Sequence, residues 1–203
     1  MHCLNVNGDR IVGWMVEEAQ LLYKTVDSTI DRVVRYLQED NLLVLPCDTI
    51  YGLSGRYATT FDKLCALKKT TGQHQFIVLA TLEQAHQLCK VPPILEKYWP
   101  CALTVILENH EGGQSTAIRV PNDPFIQTIL TKLGRPIYST SVNDTGFTIT
   151  NITDIIFTYK QKVKAIVIDP DRGRDTPSTL IDCTKAPYEL VRCGAYDASQ
   201  LLV

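Results

Sequence analysis

Leu42-Leu43-Val44-Leu45-Pro46-Cys47-Asp48-Thr49 is the stretch on which the fold turns. Its apolar run is short and unbroken, too brief for a helix, and suits a strand buried on both faces of a helix-covered sheet. The run stops at Cys47-Asp48-Thr49, so a polar loop is predicted at a strand end, where open α/β sheets hold their ligands. Upstream, Ser28 with Asp31 reads as a capping signal, and Ile30, Val33, Val34 and Leu37 fall on one helical face.

The same alternation continues downstream. Thr60 is placed to cap a helix carrying Phe61, Leu64, Cys65 and Leu67, with Lys68 and Lys69 near its end. A strand from Phe76 to Leu79 precedes a Thr81/Gln84 capping box and a helix that Pro92 and Pro93 bring to an end. Ala102 to Leu107 and Ser115 to Val120 read as a hairpin joined through Gly112-Gly113. Asp123-Pro124 then opens a helix that Gly134 closes. Further strands are predicted at Pro136 to Ser141, Lys164 to Asp169, Ser178 to Cys183 and Tyr188 to Cys193, with a helix over Thr153 to Lys160. The expectation is an α/β (α+β) fold, a twisted mixed sheet flanked by helices. It forms one domain over residues 1–203 with its core at about 24–197. The segment 1–23 is an extension without an assigned role, either an extra edge strand or a loose terminus.

Composition bounds the function. At 203 residues, 45% hydrophobic and 21% charged, the chain fits one globular core, since single cores run to roughly 250 residues. A formal charge of −2 supplies no overall field toward nucleic acid or an anionic membrane. No apolar run approaches the roughly 20 residues of a membrane span, and Met1 to Gln20 does not read as a signal peptide, so a cytoplasmic location is expected. Seven scattered cysteines without a C-x-x-C pair fit buried, reduced thiols, and the lone spacing of His86 and Cys89 does not make a zinc site. No protein metal site is expected.

Walker loops, dinucleotide fingerprints, zincin helices and nucleophile elbows are absent. What remains is a set of polar stretches bordering apolar strands: Asp48-Thr49, Arg119, Ser139-Thr140-Ser141 with Asn143, and Ser178-Thr179. Hydroxyls at strand ends suit carboxylates, amines or phosphates, and equally suit caps and turns. Arg119 could pair with a nearby acid, and Lys68 and Lys69 could simply complement a helix dipole.

Read in order, these stretches carry a resemblance. Pro46-Cys47-Asp48-Thr49-Ile50-Tyr51-Gly52-Leu53 resembles the P-T-D-T-V-Y-G-L motif of the Sua5/YrdC/YciO family. Trp99 to Thr104 is similar to its W-P-G-P-L-T, Ala117 to Pro121 to A-V-R-V-P, and Ser139 to Gly146 to S-T-S-A-N-x-S-G. Ser178 to Asp182 is similar to S-T-V-V-D, and Val191 to Gly194 to L-R-x-G. The resemblance implies a YrdC-like sheet with a concave cavity for ATP and threonine. The implied reaction makes threonylcarbamoyl-AMP from L-threonine, bicarbonate and ATP, with Mg2+ accompanying the ATP, for tRNA N6-threonylcarbamoyladenosine.

Carried over position by position, the resemblance implies that Thr49, Arg119, Ser141 and Ser178 hold threonine. Lys68, Thr70, His74, Ser115, Asn143, Asn151 and Arg192 would meet ATP, and Lys68, Ser141 and Asn143 would act in catalysis. The tRNA threonylcarbamoyl-transfer machinery is the implied partner. Cys47 is expected to pack, because this chemistry needs no covalent nucleophile. The family's K-x-R element is altered, with Thr70 at the arginine position and His74 at the later one, and Leu79 stands where some members have histidine. That loop is closer to the YciO branch, so the alternative is a nucleotide or double-stranded RNA binder. Lys63, Lys68, Lys69, Arg172, Arg174 and Arg192 would form its basic rim.

Overall fold

The computed structural model describes residues 18–70, 75–144, 147–171 and 176–202, without the side chains of 143, 144, 147 and 148. In chain order the elements are β1 (Gln20–Tyr23), α1 (Ser28–Gln38), β2 (Leu43–Leu45), β3 (Gly52–Arg56), α2 (Phe61–Lys68) and β4 (Ile77–Leu79). They continue with α3 (Leu82–Leu88), α4 (Pro93–Glu96), β5 (Leu103–Glu108), β6 (Ser115–Arg119), α5 (Pro124–Leu133) and β7 (Ile137–Ser141). A short β8 (Asn143–Asp144) and β9 (Phe147–Thr148) pair with each other before α6 (Ile152–Tyr159), β10 (Ala165–Ile168), β11 (Thr179–Asp182) and β12 (Glu189–Arg192). Ten strands form one open mixed sheet in the order β1-β10-β2-β3-β7-β4-β6-β5-β11-β12.

Several local signals act as read. Thr81 and Gln84 make a reciprocal capping box on α3, Asp123 caps α5 through Phe125 N and Ile126 N, and Gly134 ends α5 at φ 65. Other caps are corrected. No side chain caps α1 at its Asp27 N-cap, and Thr29 Oγ1 instead donates to Tyr23 O at 2.7 Å. Thr60 does not cap α2 either, because its hydroxyl turns back to Arg56 O at 2.9 Å. Residues ahead of Lys24 supply β1, a parallel edge strand on β10, which settles the choice between strand and loose terminus for Gln20–Tyr23.

Elements β3 and α4 are among those that escaped prediction. The sequence of β3, Gly52-Leu53-Ser54-Gly55-Arg56, lacks the β-branched residues that mark a strand. Packing explains the composition: a Cβ on Gly55 would lie 2.3 Å from Thr60 Oγ1 and 2.8 Å from Leu42 Cδ2. The single turn of α4 starts at the Pro93 that was read only as a stop signal, since proline suits the first turn of a helix.

Alternation along the strands gives the sheet two unlike faces. One is covered throughout: Val78, Leu103, Val105, Ile118 and Ile181 pack around Trp99 and Leu95, while Val44, Leu53 and Ile166 pack on Leu64, Ile155 and Tyr159. On the other face, Leu43, Leu45, Ile137 and Leu79 meet α1 and α5 through Leu37, Ile126 and Leu130. That cover stops near β4, leaving the remainder of the face open. Among the described residues, no helix is long and apolar enough to cross a membrane.

Lys24 fastens the open end of the fold. Its ammonium donates to Asp169 Oδ2 at 2.9 Å and to Asp123 Oδ2 at 3.3 Å, tying β1 to the end of β10 and to the cap of α5. Burial lowers the ammonium's pKa, but the bonds and charges of Asp169 and Asp123 outweigh it and hold the value above the ordinary 10.5. Lys24→Met is expected to lower stability by about 1–3 kcal/mol, the usual cost of orphaning buried acceptors. A raised lysine pKa contributes fully below the unfolded value and is lost as pH rises through the folded one. The gap between variant and wild type in urea melts is therefore expected to close only above pH 10.5. A gap that closes near neutrality contradicts this assignment.

Candidate functional site

The open part of the face is a depression because small side chains line its floor. Gly52 on β3, Ser139 and Ser141 on β7 and Ala117 on β6 lie beneath a cavity of about 500 Å³. A Cβ on Gly52 would approach Ser139 Oγ to 2.2 Å, so glycine keeps that corner low. Strand register sets a row of neighbours across the floor: Leu79 opposite Arg119, Arg119 opposite Thr104, Thr104 opposite Leu180, and Leu180 opposite Arg192. Two guanidinium groups thus rise from one row, separated at their backbones by about three strand spacings, roughly 14 Å.

Arg119 is 3% exposed and firmly held. Its Nη1 donates to Thr49 Oγ1 at 2.7 Å, its Nη2 forms an ion pair with Asp48 Oδ1, and its Nε reaches Cys101 O at 3.4 Å. The expected alternative of a nearby acid is therefore realised, yet Arg119 still lines the cavity, and its guanidinium carries more N–H donors than these three contacts use. Asp48 was not named as a site residue. Its adjacency to Thr49 was the available signal, since a buried arginine requires a counter-charge. Its second oxygen accepts from Asn122 N at 3.0 Å.

Ser178 lies at the opposite wall, where its Oγ and Thr104 Oγ1 are 2.7 Å apart and both residues are buried. Arg192 clasps the same residue, donating from Nη2 and Nε to Ser178 O at 2.9 and 3.2 Å. Burial, then the charge of Arg119, lowers the pKa of Arg192, so the two cations sense each other across the cavity and an anion between them is favoured. Gly194 makes this clasp possible: a Cβ there would meet Ser178 C, Pro177 O and Thr179 N at 2.3, 2.4 and 2.4 Å. Gly194→Ala is expected to cost about 1–3 kcal/mol by overpacking. It should also weaken every ligand that depends on Ser178 and Arg192, as read by thermal melts with and without nucleotide. An unchanged melt would show that the crossing can spread.

Lys68, at the last turn of α2, reaches over and donates to Ser141 O at 2.9 Å, and burial lowers its ammonium pKa. The bond places a cation at the β7 edge of the cavity. Thr70 follows on the loop, its N–H bound to Cys65 O at 3.1 Å. His74 lies outside the described residues, as do Arg172 and Arg174 of the suggested basic rim. Asn143 is described only as backbone in β8. Ser115 shares the strand face of Ala117 and Arg119 but sits at the hairpin end, beyond the cavity lining. Asn151 serves locally, its side chain accepting from Thr153 N to cap α6. Lys63 is occupied with Asp40 O at 2.7 Å. Cys47 is buried, its thiol pKa pushed well up by desolvation, as a packing residue requires.

Thr49, Arg119, Ser141, Ser178 and Arg192 thus line one cavity, with Lys68 at its edge. Comparisons with known proteins agree with the frame. A family model named for Sua5, YciO and YrdC and described as "Telomere recombination" matches residues 35–194. Threonylcarbamoyl-AMP synthase of Bacillus subtilis (strain 168) is 25% identical over 206 residues, covering 93% of this chain. This chain spans only 59% of that relative's length. The crystal structure of E. coli YciO superposes with a TM-score of 0.80 at 23% identity, covering 91% of this chain and all of that one. P. abyssi Sua5 complexed with L-threonine gives 0.79 at 21% identity, covering 90% of this chain and 59% of that one.

Proposed function

This chain belongs to the Sua5/YciO/YrdC family, and from that premise we propose that it forms threonylcarbamoyl-AMP from L-threonine, bicarbonate and ATP. The observation that carries the reading is the convergence of Arg119 and Arg192 on one cavity, with Lys68 at its rim. Such a site suits a substrate with a carboxylate at one end and phosphates at the other. Relatives named for this synthase and a Sua5 structure holding L-threonine support it.

The proposed roles are consistent with this geometry. Arg119, preset by Asp48 and Thr49, offers its remaining N–H donors to the amino-acid carboxylate. Ser178 and Thr49 border the amine. The threonine amine condenses with bicarbonate to a carbamate with loss of water, a carbamate oxygen attacks the α-phosphorus of ATP, and pyrophosphate leaves. Lys68 and Arg192 stabilise negative charge on the phosphates, so positioning and electrostatics supply the catalysis. Magnesium would be brought in on the ATP phosphates, beside Lys68 and Arg192, and would supply further positive charge there. Among the described residues, no cluster of three His, Cys, Asp or Glu could hold a metal. The product would pass to the tRNA threonylcarbamoyl-transfer machinery.

One observation favours a second reading. Thr70 replaces a cation in the phosphate loop, so a YciO-like nucleotide or double-stranded RNA binder with slow turnover is the alternative. Incubation with ATP, threonine and labelled bicarbonate separates the two. Pyrophosphate release that requires all three substrates supports the synthase. ATP binding without threonine-dependent release supports the binder, and no binding of either ligand by calorimetry removes both.

A further inference from the structure

Thr104 is completely buried in β5, yet it ends in a hydroxyl. Register sets it between Arg119 on β6 and Leu180 on β11, and it stands outside the cavity lining that Ser178 joins. Among the described residues, its Oγ1 has one polar partner, Ser178 Oγ at 2.7 Å.

A hydroxyl carries one proton and two lone pairs, and a buried donor left without an acceptor is costly. The Thr104 proton therefore goes to Ser178 Oγ, the acceptor within its reach. Arg192 Nη2 donates to the same oxygen at 3.3 Å. Both lone pairs of Ser178 are then taken, and among the described residues its own proton meets no acceptor. Because Ser178 lines the cavity, that proton is left for a bound ligand. The local charge agrees: burial and then the charge of Arg119 lower the pKa of Arg192, which holds Ser178, so a negative ligand atom is favoured here.

We propose that Thr104 is a positioning residue that fixes Ser178 as a hydrogen-bond donor to an anionic oxygen of the substrate. The inference rests on the substrates assigned above. An ammonium beside Ser178 would meet a proton, whereas the carbamate made from it would meet a donor. The acceptor is an oxygen of that carbamate or of the threonine carboxylate, and two measurements separate them.

Thr104→Val keeps the side-chain shape and removes the hydroxyl, while Thr104→Ser keeps the hydroxyl and removes the methyl. Freed among three staggered orientations, the Ser178 proton should serve its acceptor about threefold less well, or worse. With a carbamate acceptor, Thr104→Val lowers kcat for threonine-dependent pyrophosphate release by that factor and leaves KM for threonine nearly unchanged. With a carboxylate acceptor, calorimetry without bicarbonate shows the same loss in threonine affinity. In both cases Thr104→Ser stays close to wild type. A loss in Thr104→Ser as large as in Thr104→Val, or no loss in a folded Thr104→Val, means that the residue only packs, and overturns the inference. Neutron diffraction from deuterium-exchanged crystals needs neither a variant nor turnover. A deuteron on Thr104 aimed at Ser178, with that of Ser178 turned into the cavity, supports the inference, and a deuteron on Ser178 aimed at Thr104 overturns it. A wild-type chain that releases no pyrophosphate removes the synthase reading instead, and the deuteron positions still decide between these two arrangements.

Discussion

Arg119→Ala is expected to lose both threonine binding and stability, because the guanidinium neutralises Asp48 as well as facing the cavity. Charged hydrogen bonds are worth about 1.5–3 kcal/mol, so threonine affinity should fall by roughly tenfold or more, with a smaller loss for ATP. Breaking a buried ion pair from one side costs about 3–5 kcal/mol, since the remaining carboxylate keeps its desolvation penalty. The two effects separate in a second variant. Arg119→Ala/Asp48→Ala removes the stranded charge, so urea melts should recover part of the stability while calorimetry shows no recovery of threonine binding. Equal losses for threonine and ATP in the single variant would show that Arg119 acts only by holding the fold.

Thr70→Arg should act in the opposite direction on turnover. Thr70 offers one neutral hydroxyl on the loop just after Lys68, whereas arginine there would bring a fork able to span two phosphate oxygens. Groups that stabilise charge as it develops are worth about 10²–10³ in rate when removed from other active sites. An increase of roughly tenfold or more in threonine-dependent pyrophosphate release is expected, with a smaller change in AMP affinity. A flat or falling rate, in a variant that still binds ATP, would mean that the loop leads residue 70 away from the phosphates.

The sheet was legible wherever apolar periodicity and capping chemistry coincided. Leu43–Leu45, the β5–β6 hairpin and the Asp123-Pro124 start of α5 carry such agreement between local signals, and each forms close to where it reads. β3 did not, because its glycines answer to Thr60 and Leu42, neighbours that only the folded chain supplies. The same division holds at the site. Ordered motifs singled out Arg119, Ser178 and Arg192, which line one cavity, but the Asp48 partnership, the clasp on Ser178 and the Thr104 hydroxyl are consequences of register between strands distant in sequence. Asn151, carried over by position, also caps α6, a local role that its place ahead of an apolar helix makes readable.

The strand order carries a consequence for how the molecule is made. β10 lies between β1 and β2, and β12, which carries Arg192, closes the far edge of the sheet. During synthesis, β1 therefore waits for residues 165–168 before it has a partner, and both edges are completed late. Pairings of such long reach form slowly, because loop closure must precede any gain from contact. A ribosome-bound chain that has exposed residues only as far as the end of α5 at Leu133 would carry Arg119 and Asp48 but lack Ser178 and Arg192. The nascent protein should therefore complete this cavity only once residues through Arg192 have left the exit tunnel.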